Sequence, residues 1–260
     1  MATPKVLVLA GYGINSEEEL FNSFITQGAT GEIVHINDLI DGTKKLEDFQ
    51  IIAFPGGFSY GDDTGAGNAI SNKIRNNLQD EITAFAQEDK LIIGVCNGFQ
   101  IIANLGLVPA TKNQYGERES ALMWNKTARF ECRWVHTKTT SQKCIWTQGI
   151  DKLELPVAHG EGNFYTTPEI LKEIKENDQI ALKYTTPEGD LANGEYPHNP
   201  NGALEDIAGI CDPSGRILGL MPHPERFNSP LNHPEWTRRK ITEEDTGNKM
   251  FRNAVEYFTK

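Results

Sequence analysis

From Leu91 to Thr111 the chain runs for 21 residues without a charged side chain. A stretch of that length either crosses a membrane or lies buried in a folded domain. Asn97, Gln100, Asn104, three glycines and Pro109 within it decide for burial, because polar side chains and helix breakers are costly in hydrocarbon. Leu91-Ile-Ile-Gly-Val95 is apolar throughout, as a strand covered on both faces must be, and Phe99–Leu105 reads as a buried helix. A buried strand passing through a short turn into a buried helix belongs in the middle of a parallel sheet.

The flanking sequence repeats the alternation. Val6–Ala10, Glu32–Ile36 and Ile51–Phe54 read as strands. Ser16-Glu-Glu-Glu19 has the form of a capping box opening a helix that carries Leu20, Phe21, Phe24 and Ile25. Ala66, Ile70, Ile74, Leu78 and Ile82 recur every four residues and mark a long helix. The fold class is therefore α/β: a doubly wound, mostly parallel sheet with helices on both faces. Beyond about residue 113 the character changes, and Phe130–His136 alternates in the manner of antiparallel strands at a sheet edge. Thr167-Pro168 has the cap and N1 proline of a short helix. Ile207–Cys211 and Ile217–Met221 form a hairpin around Asp212-Pro-Ser-Gly215, and a last helix carries Met250, Phe251, Ala254, Val255 and Phe258. With no linker in view, residues 1–260 read as one domain.

Composition removes several functions. With 25 Lys and Arg against 36 Asp and Glu, the net charge is −11 and no basic run exists to hold a polyanion, so a nucleic-acid partner is not expected. The opening residues are not expected to form a signal peptide or an anchor. Neither a membrane partner nor a metal is expected, and a cytoplasmic location is. The cysteines at 96, 132, 144 and 211 lack CxxC pairing and metal-ligand spacing. They read as reduced thiols, the last three as small apolar core residues.

The chemistry begins at Cys96. Gly94-Val-Cys96-Asn-Gly98 between strand and helix is a cysteine version of the nucleophile elbow. So tight a turn strains the nucleophile's backbone, and glycine two residues either side leaves it room. The thiol then sits at a helix N-terminus, where thiolate is favoured, and the Asn97 N–H faces a developing oxyanion. A thiolate needs a base and the base an orienter. Of the histidines at 35, 136, 159, 198, 223 and 233, His223 in Met221-Pro-His-Pro-Glu-Arg226 directly follows an apolar strand. Its flanking prolines predict an extended segment that sets Glu225 on the same side. His159-Gly-Glu161 is a second His-x-Glu pair and reads as a wall of the site. Pro55-Gly-Gly57 closes another strand and suits a second oxyanion donor at Gly57. Gly11-Tyr-Gly13 has a dinucleotide-loop look, but Ser16 replaces the third glycine, and no P-loop sequence occurs.

Together these motifs resemble the class I (triad) glutamine amidotransferases. Gly56–Asp62, Gly94–Gln100, Ala158–Gly162, Asn199–Gly202 and Met221–Arg226 resemble in particular the glutaminase components of phosphoribosylformylglycinamidine synthases (PurQ type). The resemblance implies that Cys96 attacks the side-chain amide of glutamine, that His223 carries the proton and that Glu225 orients it. It also implies that Gly57 and Asn97 hold the oxyanion and that Gln100 frames the glutamine. No cofactor belongs to this chain; ATP and magnesium would serve a partner synthetase (PurL type) that uses the ammonia, with a small bridging subunit (PurS type) a further possible partner. Asp63–Asn68 and the tail from Asn232 look more like the form fused within a long single-chain enzyme. Two other readings stay open on the residues alone: a free-standing DJ-1/PfpI-like cysteine hydrolase and a catalytically silent interaction subunit.

Overall fold

The computed structural model describes residues 3–259. Its frame is a nine-stranded sheet. The first half alternates strand and helix: β1 (Lys5–Ala10), α1 (Glu17–Ile25), β2 (Thr30–His35), α2 (Ile36–Ile40), β3 (Ile51–Phe54), α3 (Asn68–Gln87), β4 (Leu91–Val95) and α4 (Asn97–Asn104). The second half contributes β5 (Ser120–Met123), β6 (Glu131–Thr139), β7 (Lys152–His159), β8 (Asn163–Thr166), α5 (Pro168–Glu176), β9 (Ile180–Thr185), β10 (Ile207–Cys211), β11 (Ile217–Leu220) and α6 (Asn248–Thr259). Across the sheet the order is β2-β1-β3-β4-β11-β10-β9-β6-β7. From β2 to β11 neighbours run parallel, and from β11 to β7 antiparallel.

That order explains the layers. The step from β1 to β2 runs one way along the sheet and the step from β3 to β4 the other, so right-handed crossovers put α1 and α3 on opposite faces. α1 packs with α6, and α3 with α4. β3 and β4 are buried along their whole length, as strands between two helical layers must be. Reversal of direction between β1 and β3 opens a crevice at the strands' carboxyl ends. There the loop after β1 folds onto the loop after β3, with Asn15 N–H donating to Gly56 O at 3.2 Å and Phe58 N–H to Gly13 O at 2.9 Å. Packed this way, Gly11–Ser16 is a support for the Gly56-Gly57 turn rather than a nucleotide cradle.

Several local expectations change. Ser16 makes no side-chain cap to α1; its hydroxyl instead accepts from Arg226 Nη2 at 3.2 Å. β6 pairs with β7 and β9 near the sheet edge as the alternation predicts, but β5 and β8 form a separate antiparallel ribbon that contacts α4. Thr167 caps α5 as read, accepting from Ile170 N–H. Cys144 and Cys211 are buried, whereas Cys132 is exposed, because its position on β6 faces outward.

Candidate active site

β4 is followed directly by Cys96, whose φ of 51° and ψ of −105° lie outside the helical and extended regions. The two glycines make this possible. A Cβ on Gly98 would collide with the Phe54 carbonyl, and one on Gly94 would meet the Gly98 carbonyl. The turn is pinned from the other side: Cys96 N–H donates to Leu220 O at 2.8 Å, and Gly94 pairs with Gly219 across the parallel β4–β11 ladder. The register of β11 therefore brings the residues that follow it, Met221-Pro222-His223, alongside the elbow.

His223 N–H donates to Pro156 O at 2.8 Å, and its Nδ1 lies 2.5 Å from Glu225 Oε1. Both side chains are buried. Pro224–Arg226 is one short 3-10 turn, so a turn sets Glu225 beside the ring rather than the extended backbone expected from the prolines. The ring packs on the Gly56 backbone, where a Cβ would meet Cε1 at 2.8 Å. Burial alone would lower the imidazole pKa; the charges of Glu225 and of Cys96 outweigh it and raise the net value. Among the described residues His223 Nε2 has no hydrogen bond within ordinary limits, Cys96 lies beside the ring, and the Cys96 thiol donates to Ala158 O at 3.6 Å. A raised imidazole pKa keeps the ring in its protonated form, which can give a proton to a departing nitrogen.

Cys96 opens into a cavity of about 430 Å³ lined also by Gly57, Asp62, Gln100, Arg129 and Glu161. Gly57 is in a two-residue bridge with Ile14 whose hydrogen bonds run through Gly56 and Phe58, which leaves the Gly57 N–H outside the ladder. Asn97 is fully buried; its Oδ1 accepts from Ser59 N–H at 3.2 Å and its Nδ2 donates to Gln100 Oε1 at 2.8 Å. Gln100 Nε2 in turn donates to Glu161 O at 2.6 Å. Both ends of the Gln100 amide are thus engaged, and it stiffens the wall rather than presenting a free amide.

His159 lines the same cavity. Burial, with the neighbouring His223 charge, pushes its pKa down to about 3, so it stays neutral, in keeping with a wall position. Asn125 ties this wall together: Nδ2 donates to His159 O at 2.8 Å and to Arg129 O at 2.9 Å, while Oδ1 accepts from Gly162 N–H at 3.0 Å. His35 caps α2, His136 faces Glu154, and His233 packs on Trp134.

A thiol on an elbow, a buried His–Glu pair beside it and a sheltered cleft, all on a doubly wound sheet, are the arrangement of a class I glutamine amidotransferase. Residues 3–258 match the family of CobB/CobQ-like glutamine amidotransferase domains. The chain belongs to the glutamine amidotransferases, and within them to the PurQ type. It is 54% identical to the phosphoribosylformylglycinamidine synthase subunit PurQ of Methanococcus maripaludis strain S2, over 99% of this chain and 98% of that one. The phosphoribosylformylglycinamidine synthase of Drosophila melanogaster is 34% identical across 100% of this chain but only 20% of its own length. By overall identity the chain thus stands nearer this separate subunit than this fused enzyme, despite the look of Asp63–Asn68. A solved structure of PurLQS from Thermotoga maritima superposes with a TM-score of 0.75 and 28% identity, over 99% of this chain and 100% of that one.

Proposed function

We propose that this chain is the glutaminase subunit of phosphoribosylformylglycinamidine synthase, acting as one amidotransferase domain. Cys96 as thiolate attacks the side-chain carbonyl carbon of glutamine. Negative charge on the carbonyl oxygen is met by the Gly57 and Asn97 N–H groups. Collapse of that adduct breaks the C–N bond, His223 supplies the proton to the departing nitrogen, and ammonia leaves behind a γ-glutamyl thioester. Water, deprotonated by His223, then releases glutamate and restores the thiol. Glu225 holds the imidazole in orientation and stabilises its positive form.

The ammonia is used by a PurL-type synthetase, which binds ATP and magnesium and converts formylglycinamide ribonucleotide to the amidine, with a PurS-type subunit in the assembly. The reaction belongs to the cytoplasm. The observation that carries the reading is the buried His223–Glu225 pair set against the elbow cysteine by the β4–β11 register, in a chain 54% identical to a PurQ subunit. The test is ammonia release from glutamine by the chain mixed with its synthetase, in wild type and Cys96→Ala. Activity in the wild type that vanishes in Cys96→Ala supports the assignment; activity that survives the substitution overturns it.

A further inference from the structure

Between the His223–Glu225 turn and α6 the chain makes a long excursion over the surface. Across 228–245 the regular structure is two 3-10 turns, Pro230–Asn232 and Glu243–Asp245, and of the described residues there His233 alone is buried. Both ends of the excursion return to the turn itself. Phe227 N–H donates to Pro224 O at 3.1 Å, and Gly247 N–H donates to Phe227 O at 2.8 Å. Gly247 lies so close to Pro224 that a Cβ there would strike its carbonyl. Residues 228–245 are thus a strap that starts and finishes against Pro224, the residue between His223 and Glu225.

The strap is anchored by a carboxylate on β7. His233 Nδ1 accepts from Glu235 N–H at 3.1 Å, which leaves Nε2 as the ring nitrogen free to donate. That Nε2 lies 3.2 Å from Glu154 Oε1. The other oxygen, Oε2, accepts from Arg239 Nη1 at 2.9 Å, so one side chain holds the strap at both His233 and Arg239. The His233 ring packs on Trp134 of β6 and on Phe227, with ring centres 4.8 and 5.7 Å away, and Trp134 meets Phe227 at 5.0 Å. Trp134 in turn faces Pro156 across the β6–β7 ladder, and Pro156 O accepts from His223 N–H. β7 therefore grips the proton carrier directly at Pro156 and, through the strap, at Glu154. Removing the Glu154 carboxylate would leave a buried N–H without an acceptor, and the strap has no other buried side chain to offset that loss.

On the glutaminase reading given above, we propose that Glu154 is a positioning residue for His223. By fixing the strap it keeps Phe227 and Pro224 in place, and so holds the imidazole at its working distance from Cys96. Glu154 touches neither glutamine nor the reacting atoms. Its loss slows proton transfer and leaves glutamine binding alone.

The experiment has two readouts, applied to wild type, Glu154→Ala, His233→Ala and the double variant. Ammonia release from glutamine is measured on the assembled complex with the synthetase. Trypsin cleavage is measured on the full-length chain at Arg238-Arg239-Lys240, three exposed residues of the strap. The expected fall in kcat for Glu154→Ala is about three- to thirtyfold, short of the roughly hundredfold that an ångström of misplacement can cost, with KM for glutamine within about twofold of wild type. The double variant should lose no more than the worse single one, because both substitutions release the same anchor. Trypsin should cut the strap about fivefold faster or more in all three variants. An unchanged kcat in Glu154→Ala, whatever trypsin reports, overturns the inference while the glutaminase assignment stands. Losses that multiply in the double variant, or a KM that rises as kcat falls, overturn it as well. A wild-type complex that releases no ammonia sinks the glutaminase assignment, and this inference with it.

Discussion

His223 Nδ1 and Glu225 Oε1 lie 2.5 Å apart with a single proline between the two residues, both side chains removed from water. The contact sets the charge on the imidazole, since burial alone would favour the neutral ring. Glu225→Gln keeps the shape but removes the charge. The His223 pKa should then fall from its raised value, because only Cys96 is left to oppose burial. Glutaminase turnover should drop by about 10²- to 10⁴-fold, the range seen when the third member of a triad loses its charge. An NMR titration of the imidazole alongside ammonia release checks both, and an unchanged pKa would refute the role given to Glu225.

Cys96 sits at φ 51° and ψ −105°, a backbone state costing a residue with a Cβ about 1–3 kcal/mol. Glycine escapes that cost and loses about 0.5–1 kcal/mol for its extra freedom when unfolded. The difference favours glycine, so Cys96→Gly should be more stable than Cys96→Ala by about 1 kcal/mol, while both lack activity. Urea denaturation of the two variants measures this. If Cys96→Ala proved the more stable, strain at the elbow would be ruled out.

The glycines around the elbow make a sharper claim. A Cβ at Gly98 would run into the Phe54 carbonyl, which is backbone and cannot swing aside. Gly98→Ala should therefore push α4 away from β3 and cost at least about 3 kcal/mol, beyond the range of ordinary surface substitutions. At Gly28, where nothing lies near an added Cβ and only the positive φ opposes it, alanine should cost about 1–2 kcal/mol. Melting temperatures of the pair give the ranking.

Which parts of this were legible in the sequence depends on how local their causes are. The elbow could be read because Gly94, Cys96 and Gly98 act on one another within five residues, and His223 with Glu225 because one short turn joins them. Ser16 could not: three glutamates after it imitate a capping box, but its hydroxyl is taken by Arg226, some two hundred residues on. The tying role of Asn125 was equally hidden, since the loops it joins, at 129, 159 and 162, come together only in the folded sheet. Cys132 was misread as core because cysteine is apolar on average, whereas strand alternation turns this one outward.

His159 offers a prediction about acid stability. In the folded chain it takes a proton only near pH 3, because it is buried and His223 beside it carries charge; its unperturbed value is 6.5. Between those values the unfolded chain binds the proton and the folded chain does not, so stability falls as pH drops through this window. Above about pH 6.5 the group contributes no slope. The full gap is worth on the order of 5 kcal/mol at most. His159→Gln removes the titrating ring and should cost stability at pH 7.5, through loss of the contact with Asn125 Oδ1 at 3.2 Å. On acidification the wild type should lose its advantage, and near pH 4 the two proteins should converge or cross. Urea denaturation at pH 7.5, 6, 5 and 4 gives the difference directly, with most of the carboxylate titration cancelling between the two proteins. A difference that stayed constant from pH 7.5 to 4 would mean that His159 is protonated in the fold, and its neutral place in the cavity wall would have to be abandoned.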